Sequence, residues 1–209
     1  MSVWIKICGV TSVDDGRRAV DAGADAVGVN LVPSSKRYVD EPTARAIAEA
    51  LDGAVEVVGV VADRPLEELS ALAARLGLRS LQLHGNEPPA VVAALAPLAY
   101  QAVRIALPED VTRARSFAGA RLLADAKVSG ELGGTGHTFD WSLVTELAQE
   151  RALVLAGGLT AENVAAAVAR VGPYGVDTAS GVEGASPRVK DAEKMGAFVR
   201  AARRAASER

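Results

Sequence analysis

The chain of 209 residues has a single cysteine, Cys8, and two histidines, His84 and His137. One thiol cannot close an internal disulfide, which fits a reducing compartment. Two histidines outside any ligand-spaced cluster, with no second cysteine, give a metal site poor support. Aromatic residues are scarce as well, at 4% of the chain, so platforms for stacking bases are few. Lys and Arg number 23 against 26 Asp and Glu, a formal net charge of −3, so no basic field argues for nucleic acid or a membrane surface as partner. No apolar run approaches the ~20 residues of a spanning helix, and the opening MSVWIKICGVT lacks the charged, apolar and small-residue sections of a signal peptide. A cytoplasmic protein is expected. The sequence also lacks the G-x-S-x-G elbow of serine hydrolases and a G-x-G-x-x-G turn after the first strand.

What is present suits one domain over residues 1–209, 49% hydrophobic, long enough to bury roughly 70% of its unfolded surface without staples. A short β-branched run, a turn and an Ala/Leu-rich amphipathic stretch recur, the pattern of βα units. Strands are expected at Val3–Ile7, Ala26–Asn30, Val55–Ala62, Ser80–Leu83, Ala99–Ile105, Arg121–Asp125, Leu153–Ala156 and Gly175–Thr178. Helices are expected at Val13–Ala22, Pro42–Leu51, Pro65–Leu76, Pro88–Leu95, Glu109–Phe117, Trp141–Arg151, Ala161–Val171 and Ala192–Ala206. At about 25 residues per unit, eight units need about 200 residues. The reading is an α/β fold, a compact (β/α)8 TIM barrel, with an open doubly wound sheet as the alternative.

Parallel barrel strands are almost continuously apolar, so polar residues in them are informative. Strand parity puts Trp4, Lys6 and Cys8 on one face, and likewise Gln82 with His84, Leu123 with Asp125 and Lys127, and Gly175 with Asp177. Cys8, His84, Asp125 and Asp177 then fall at the C-terminal strand ends, the rim where barrel enzymes carry their chemistry. Singly, each has an ordinary reading as a buried hydrophobe, a satisfied hydrogen bonder or a loop cap; four on one rim point to a site. The turns Ala156-Gly157-Gly158-Leu159-Thr160 and Ala179-Ser180-Gly181-Val182-Glu183-Gly184 come after strands seven and eight, the usual phosphate position of this fold. Ser34-Ser35-Lys36-Arg37-Tyr38 brings cations to the same rim, where Arg37 can fork onto a carboxylate. The 14-residue segment Ala126 to Phe139, with Gly133-Gly134-Thr135-Gly136, reads as a mobile loop or lid, with a plain flexible connector as the alternative.

Together, Lys6-Ile7-Cys8-Gly9-Val10-Thr11, Gln82-Leu83-His84-Gly85, Asp125-Ala126-Lys127, Gly133-Gly134-Thr135-Gly136, Phe139-Asp140-Trp141 and the two glycine turns resemble the phosphoribosylanthranilate isomerase family of tryptophan biosynthesis. The match runs in order from Val3 to about Phe198. The resemblance implies an Amadori rearrangement of N-(5-phosphoribosyl)anthranilate to 1-(2-carboxyphenylamino)-1-deoxyribulose 5-phosphate, a phosphosugar reaction without cofactor or metal. Ring opening needs an acid at the furanose oxygen, and enolamine formation needs a base at C2. By the family pattern Cys8 is that base and Asp125 the acid, Arg37 binds the anthranilate carboxylate, and His84 and Asp177 line the sugar. Gly157, Gly158, Ser180 and Gly181 hold the phosphate. The chemistry asks for a lowered thiol pKa and a raised carboxyl pKa. Lys6 either favours the thiolate or neutralises a buried carboxylate across the barrel.

Asn30, the Asp177-Thr178-Ala179-Ser180 run and Pro187-Arg188 depart from the family's usual residues, the first of them near Arg37. Three rivals remain at this point: an isomerase of the related histidine-pathway aminoaldose, a phosphosugar-binding barrel without turnover, and covalent catalysis by Cys8. The first usually carries Asp in place of Cys8, the second is disfavoured by the presence of both proton-transfer residues, and the third lacks an activating triad. Oligomeric state is not legible in the sequence.

Overall fold

The structure, a computed structural model, describes residues 2–126 and 140–209. Eight strands run in chain order around a closed, all-parallel barrel: β1 (Trp4–Cys8), β2 (Ala26–Asn30), β3 (Glu56–Val61), β4 (Ser80–Leu83), β5 (Ala99–Ile105), β6 (Arg121–Ala126), β7 (Ala152–Leu155) and β8 (Gly175–Thr178). β1 pairs with β8 to close it, with Lys6 opposite Asp177. Around it lie α1 (Val13–Asp21), α2 (Glu41–Ala50), α3 (Leu66–Leu76), α4 (Pro89–Leu95), α5 (Pro108–Arg115), α6 (Thr145–Glu150), α7 (Val164–Val171) and α8 (Ala192–Ser207). The expected (β/α)8 barrel is the observed fold. Among the described residues no helix is long and apolar enough to cross a membrane.

Local chemistry sets the helix ends. The Ser12, Asp40 and Asp191 side chains accept from the backbone N–H groups of Asp15, Thr43 and Lys194, capping α1, α2 and α8. Several helices differ from expectation. The stretch expected as one helix over Trp141–Arg151 is a 3₁₀ turn, Trp141–Val144, leading into α6, because Asp140 draws in the Ser142 N–H and tightens the first turn. α7 begins three residues later than expected, since Asn163 ties Thr160 and Gly158 into the preceding turn. Pro65 and Pro88, expected in first helical turns, stand just before α3 and α4 in extended backbone, at ψ 139° and 154°. All but the first residue of the expected loop Ala126–Phe139 lies outside the described residues, as do Lys127 and His137.

Strand parity divides the core in two. Odd-numbered side chains of β1, such as Ile5 and Ile7, face outward and meet the helices, where α8 contributes Met195, Phe198, Val199 and Ala202 at helical spacing. Each large apolar side chain so buried contributes about 1.5–3 kcal/mol. The barrel interior holds a smaller apolar set, Ala26, Val58, Ala102, Leu123, Val154 and Ala156, with Tyr100. Its N-terminal end is closed by Arg121, whose guanidinium lies 4.8 Å from the Trp4 ring centre and 5.3 Å from that of Tyr100, while Nη1 donates to Glu56 Oε1 at 2.8 Å.

Candidate active site

Above that floor the barrel interior turns polar. Lys6 Nζ, fully buried, donates to Asp177 Oδ1 at 3.1 Å and to Gln82 Oε1 at 2.9 Å. Burial works against the ammonium, but the charges of Asp177, Cys8 and Tyr100 outweigh it and hold Lys6 above its ordinary value. Burial pushes the Asp177 carboxyl up as well, with Lys6 opposing. At 3.1 Å the two rest as an ion pair, because neutral Lys6 would leave Asp177 without its cation.

One step nearer the mouth, Cys8 ends β1 opposite Gly28 of β2. A Cβ on Gly28 would lie 2.9 Å from Cys8 Sγ and 3.0 Å from Lys6 Cε, so glycine makes the space in which thiol and ammonium meet. Burial pushes the thiol up, and Lys6 and, more weakly, Lys190 only partly offset it. The lowered thiol that the chemistry asks for is therefore not what this geometry holds: desolvation outweighs the two cations.

Across the barrel His84 Nε2 lies 3.3 Å from Asp125 Oδ2 in a poorly aligned approach, and His84 Nδ1 is 3.0 Å from Gln82 Nε2. The loop that carries His84 is braced by buried Glu87, whose carboxylate accepts from the backbone of Asp63 and Gly85.

Arg37 reaches the same mouth from the loop after β2. Its side chain crosses Gly9, where a Cβ would fall 2.2 Å from Arg37 Cδ, and Gly9 takes φ +73°. Arg37 Nε donates to Glu183 Oε1 at 2.5 Å, and Lys190 Nζ lies 3.8 Å from that oxygen while donating to Ala179 O at 2.9 Å. Burial pulls the Lys190 amine down to about 8. Arg188 bonds the Tyr38 carbonyl, and Thr11 the Arg188 carbonyl, tying the loops after β1, β2 and β8 together. Asn30 also lines the mouth, its Oδ1 taken up by the Val32 N–H.

On the opposite wall Gly157 and Gly158 adopt φ +85° and +64°, consecutive left-handed values that suit glycine. They and Ser180 line the cleft. Gly181 does not: a Cβ there would meet Leu159 O at 2.1 Å and Thr178 Oγ1 at 2.8 Å, so it serves the close approach of the two turns.

The cleft at the mouth encloses about 330 Å³ and brings together Cys8, Arg37, His84, Asp125 and Asp177 with the glycine turns. Of the expected residues only Gly181 stands off its lining. Among the described residues no group of three or more His, Cys, Asp or Glu could hold a metal ion. Sequence reasoning places Gln82 and Glu183 within motifs without giving them work, and misses Lys190 altogether, since a lysine just before a helix reads as solvated.

This constellation has counterparts in known proteins. The family model of N-(5'-phosphoribosyl)anthranilate (PRA) isomerase matches residues 5–201. The chain is 46% identical over 208 residues to the N-(5'-phosphoribosyl)anthranilate isomerase of Myxococcus xanthus, covering 97% of each. It superposes on the crystal structure of phosphoribosyl anthranilate isomerase from Thermotoga maritima with a TM-score of 0.87 at 39% identity, covering 96% of this chain and 98% of the other. A phosphoribosyl anthranilate isomerase solved in complex with reduced 1-(o-carboxyphenylamino)-1-deoxyribulose 5-phosphate gives a TM-score of 0.84 at 37% identity, over 96% and 98%. With the match spanning the whole barrel and both walls of the cleft, the chain belongs to the N-(5'-phosphoribosyl)anthranilate isomerase family.

Proposed function

We propose that the protein isomerises N-(5'-phosphoribosyl)anthranilate to 1-(2-carboxyphenylamino)-1-deoxyribulose 5-phosphate, with Asp125 as general acid and Cys8 as general base. The observation that carries the reading is that Cys8 and Asp125 share one cleft whose other residues suit the two ends of this substrate. Arg37, with Nε on Glu183, turns its remaining guanidinium edge to the anthranilate carboxylate. The turn of Gly157 and Gly158, with Ser180, receives the phosphate at backbone N–H groups. His84 and Asp177 flank the sugar between them.

The steps balance as an isomerisation. Asp125 gives its proton to the furanose oxygen, the C1–O bond breaks, and the anilino nitrogen's lone pair forms the iminium. Cys8 then takes the C2 proton, and those electrons shift through C1 to nitrogen, leaving an enolamine. Its tautomerisation to the ketone completes the aldose-to-ketose change with no net gain or loss of electrons. Because burial holds the Cys8 thiol up, the thiolate fraction, and with it kcat, rises with pH through the neutral range.

The test is anthranilate fluorescence during turnover, with substrate made in situ from anthranilate and phosphoribosyl pyrophosphate. Enzyme-dependent loss of fluorescence, confirmed as the aminoketose and abolished in Cys8→Ala and Asp125→Asn, is the expected result. No conversion by the wild type, where a known isomerase works, rules the reading out. Turnover that survives Cys8→Ala removes the assigned base.

A further inference from the structure

Gln82 takes no part in the proton transfers above, yet it is buried at the centre of the barrel and joins its two sides. Its Oε1 accepts from Lys6 Nζ at 2.9 Å and from the Tyr100 hydroxyl at 3.3 Å; its Nε2 lies 3.0 Å from His84 Nδ1. An ammonium offers only donors, so the Gln82 oxygen has to face Lys6. The amide is rigid, so its NH2 has to face His84. An NH2 group likewise only donates, so His84 Nδ1 has to accept, and the proton of the neutral ring sits on Nε2. That nitrogen is the one 3.3 Å from Asp125 Oδ2.

We propose that Gln82 is a positioning residue that fixes His84 in its Nε2–H tautomer facing Asp125, with Lys6 locking the amide the right way round. The chain of polarity runs from Lys6 through Gln82 to His84, each donating to the next, and ends with His84 Nε2 facing Asp125 Oδ2 at 3.3 Å. Its consequence for the reaction is direct. When Asp125 delivers its proton, a donor already stands beside the oxygen that gains charge, and the present misalignment is of the kind that tightens around a bound substrate. A ring protonated on Nδ1 instead would set a lone pair against the new carboxylate.

The tautomer follows from hydrogen-bond geometry alone; only its effect on rate rests on the proposed function. The experiment is 15N nuclear magnetic resonance on protein labelled at histidine, with the His84 signals assigned by comparison with His84→Asn, since His137 is the other histidine. In the wild type the proton is expected on Nε2 and the lone pair on Nδ1; a His84 ring protonated on Nδ1 overturns the proposal whatever the variants do. Gln82→Glu replaces the donor by an acceptor and is expected to move a proton onto Nδ1, while an unchanged ring spectrum counts against the locking role. In turnover, Gln82→Leu is expected to lower kcat by roughly tenfold with little change in KM, part of the ~10²–10⁴ that a positioned proton-transfer group supplies. The expected spectrum in a protein without turnover would leave the tautomer standing and remove the reaction instead.

Discussion

Lys6 and Asp177 are direct neighbours across the β1–β8 seam and close the barrel's interior with a buried ion pair of 3.1 Å. Of the two expectations for Lys6, the neutralised carboxylate is seen directly in this ion pair, while Lys6 also lowers the Cys8 thiol without overcoming its burial. Removing one member of such a pair leaves a buried charge alone, so Lys6→Met is expected to lower the unfolding free energy by roughly 3–5 kcal/mol in urea denaturation. Adding Asp177→Asn to Lys6→Met should then cost much less than Asp177→Asn alone, because the partner is already gone. Equal costs in both backgrounds would show that the pair is not coupled.

Gly28 is the second interior position where one atom decides the outcome. Its missing Cβ leaves room for Cys8 Sγ and Lys6 Cε, and a Cβ would also stand 3.3 Å from the Cys8 backbone Cα. Gly28→Ala is expected to cost about 1–3 kcal/mol through overpacking, together with a fall in kcat as Sγ is displaced from the mouth. Denaturation and the fluorescence assay on the same preparation check both. A variant with wild-type kcat would mean that Cys8 has freedom the packing does not suggest.

Most of the fold is legible in the sequence because two periodicities carry it. Strands β2, β4, β5 and β8 fall at the expected residues, and parity correctly groups Lys6 with Cys8 and Gln82 with His84. Two of the misjudged helices are ones where a side chain competes with the backbone: Asp140 tightens the turn it opens, and Asn163 delays α7. The site is legible wherever a polar residue interrupts an apolar strand. Gly9 and Gly28 are not, since their reason is a side chain distant in sequence that needs the space. Nor can spacing reveal that Glu183 and Lys190, 146 and 153 residues after Arg37, stand behind its guanidinium.

Gly9 presents a test of Arg37 without touching it. The Arg37 stem crosses the glycine so closely that an alanine Cβ would overlap Cδ, and the φ of +73° adds strain for any other residue. Gly9→Ala is expected to shift the guanidinium and to raise KM for N-(5'-phosphoribosyl)anthranilate by roughly tenfold, the equivalent of about 1.4 kcal/mol of binding. The effect on kcat should be smaller, since Arg37 binds the end of the substrate that does not react. An unchanged KM, with Arg37→Leu raising it strongly, would mean that the loop absorbs the extra atom.

Lys190 carries the most specific pH prediction. Its amine is pulled down from 10.5 to about 8 by burial, against the opposing charges of Glu183, Cys8 and Asp177, with Arg37 adding to the fall. Asp15 accepts from its backbone N–H. Below about pH 8 both folded and unfolded chains hold the proton. Between about 8 and 10.5 the folded chain has lost it and the unfolded chain has not, so the unfolded state binds more protons. Stability from this group therefore rises with pH across that window. Substrate binding moves the other way. Loss of the ammonium removes one of the two cations that favour the Cys8 thiolate and frees Glu183 to oppose an incoming carboxylate, so KM should climb above about pH 8. In Lys190→Met both slopes vanish: urea midpoints at pH 7 and about 9 draw together, and KM is high at every pH without the alkaline limb. A Lys190→Met enzyme that keeps the wild-type rise in KM would assign that limb to another group.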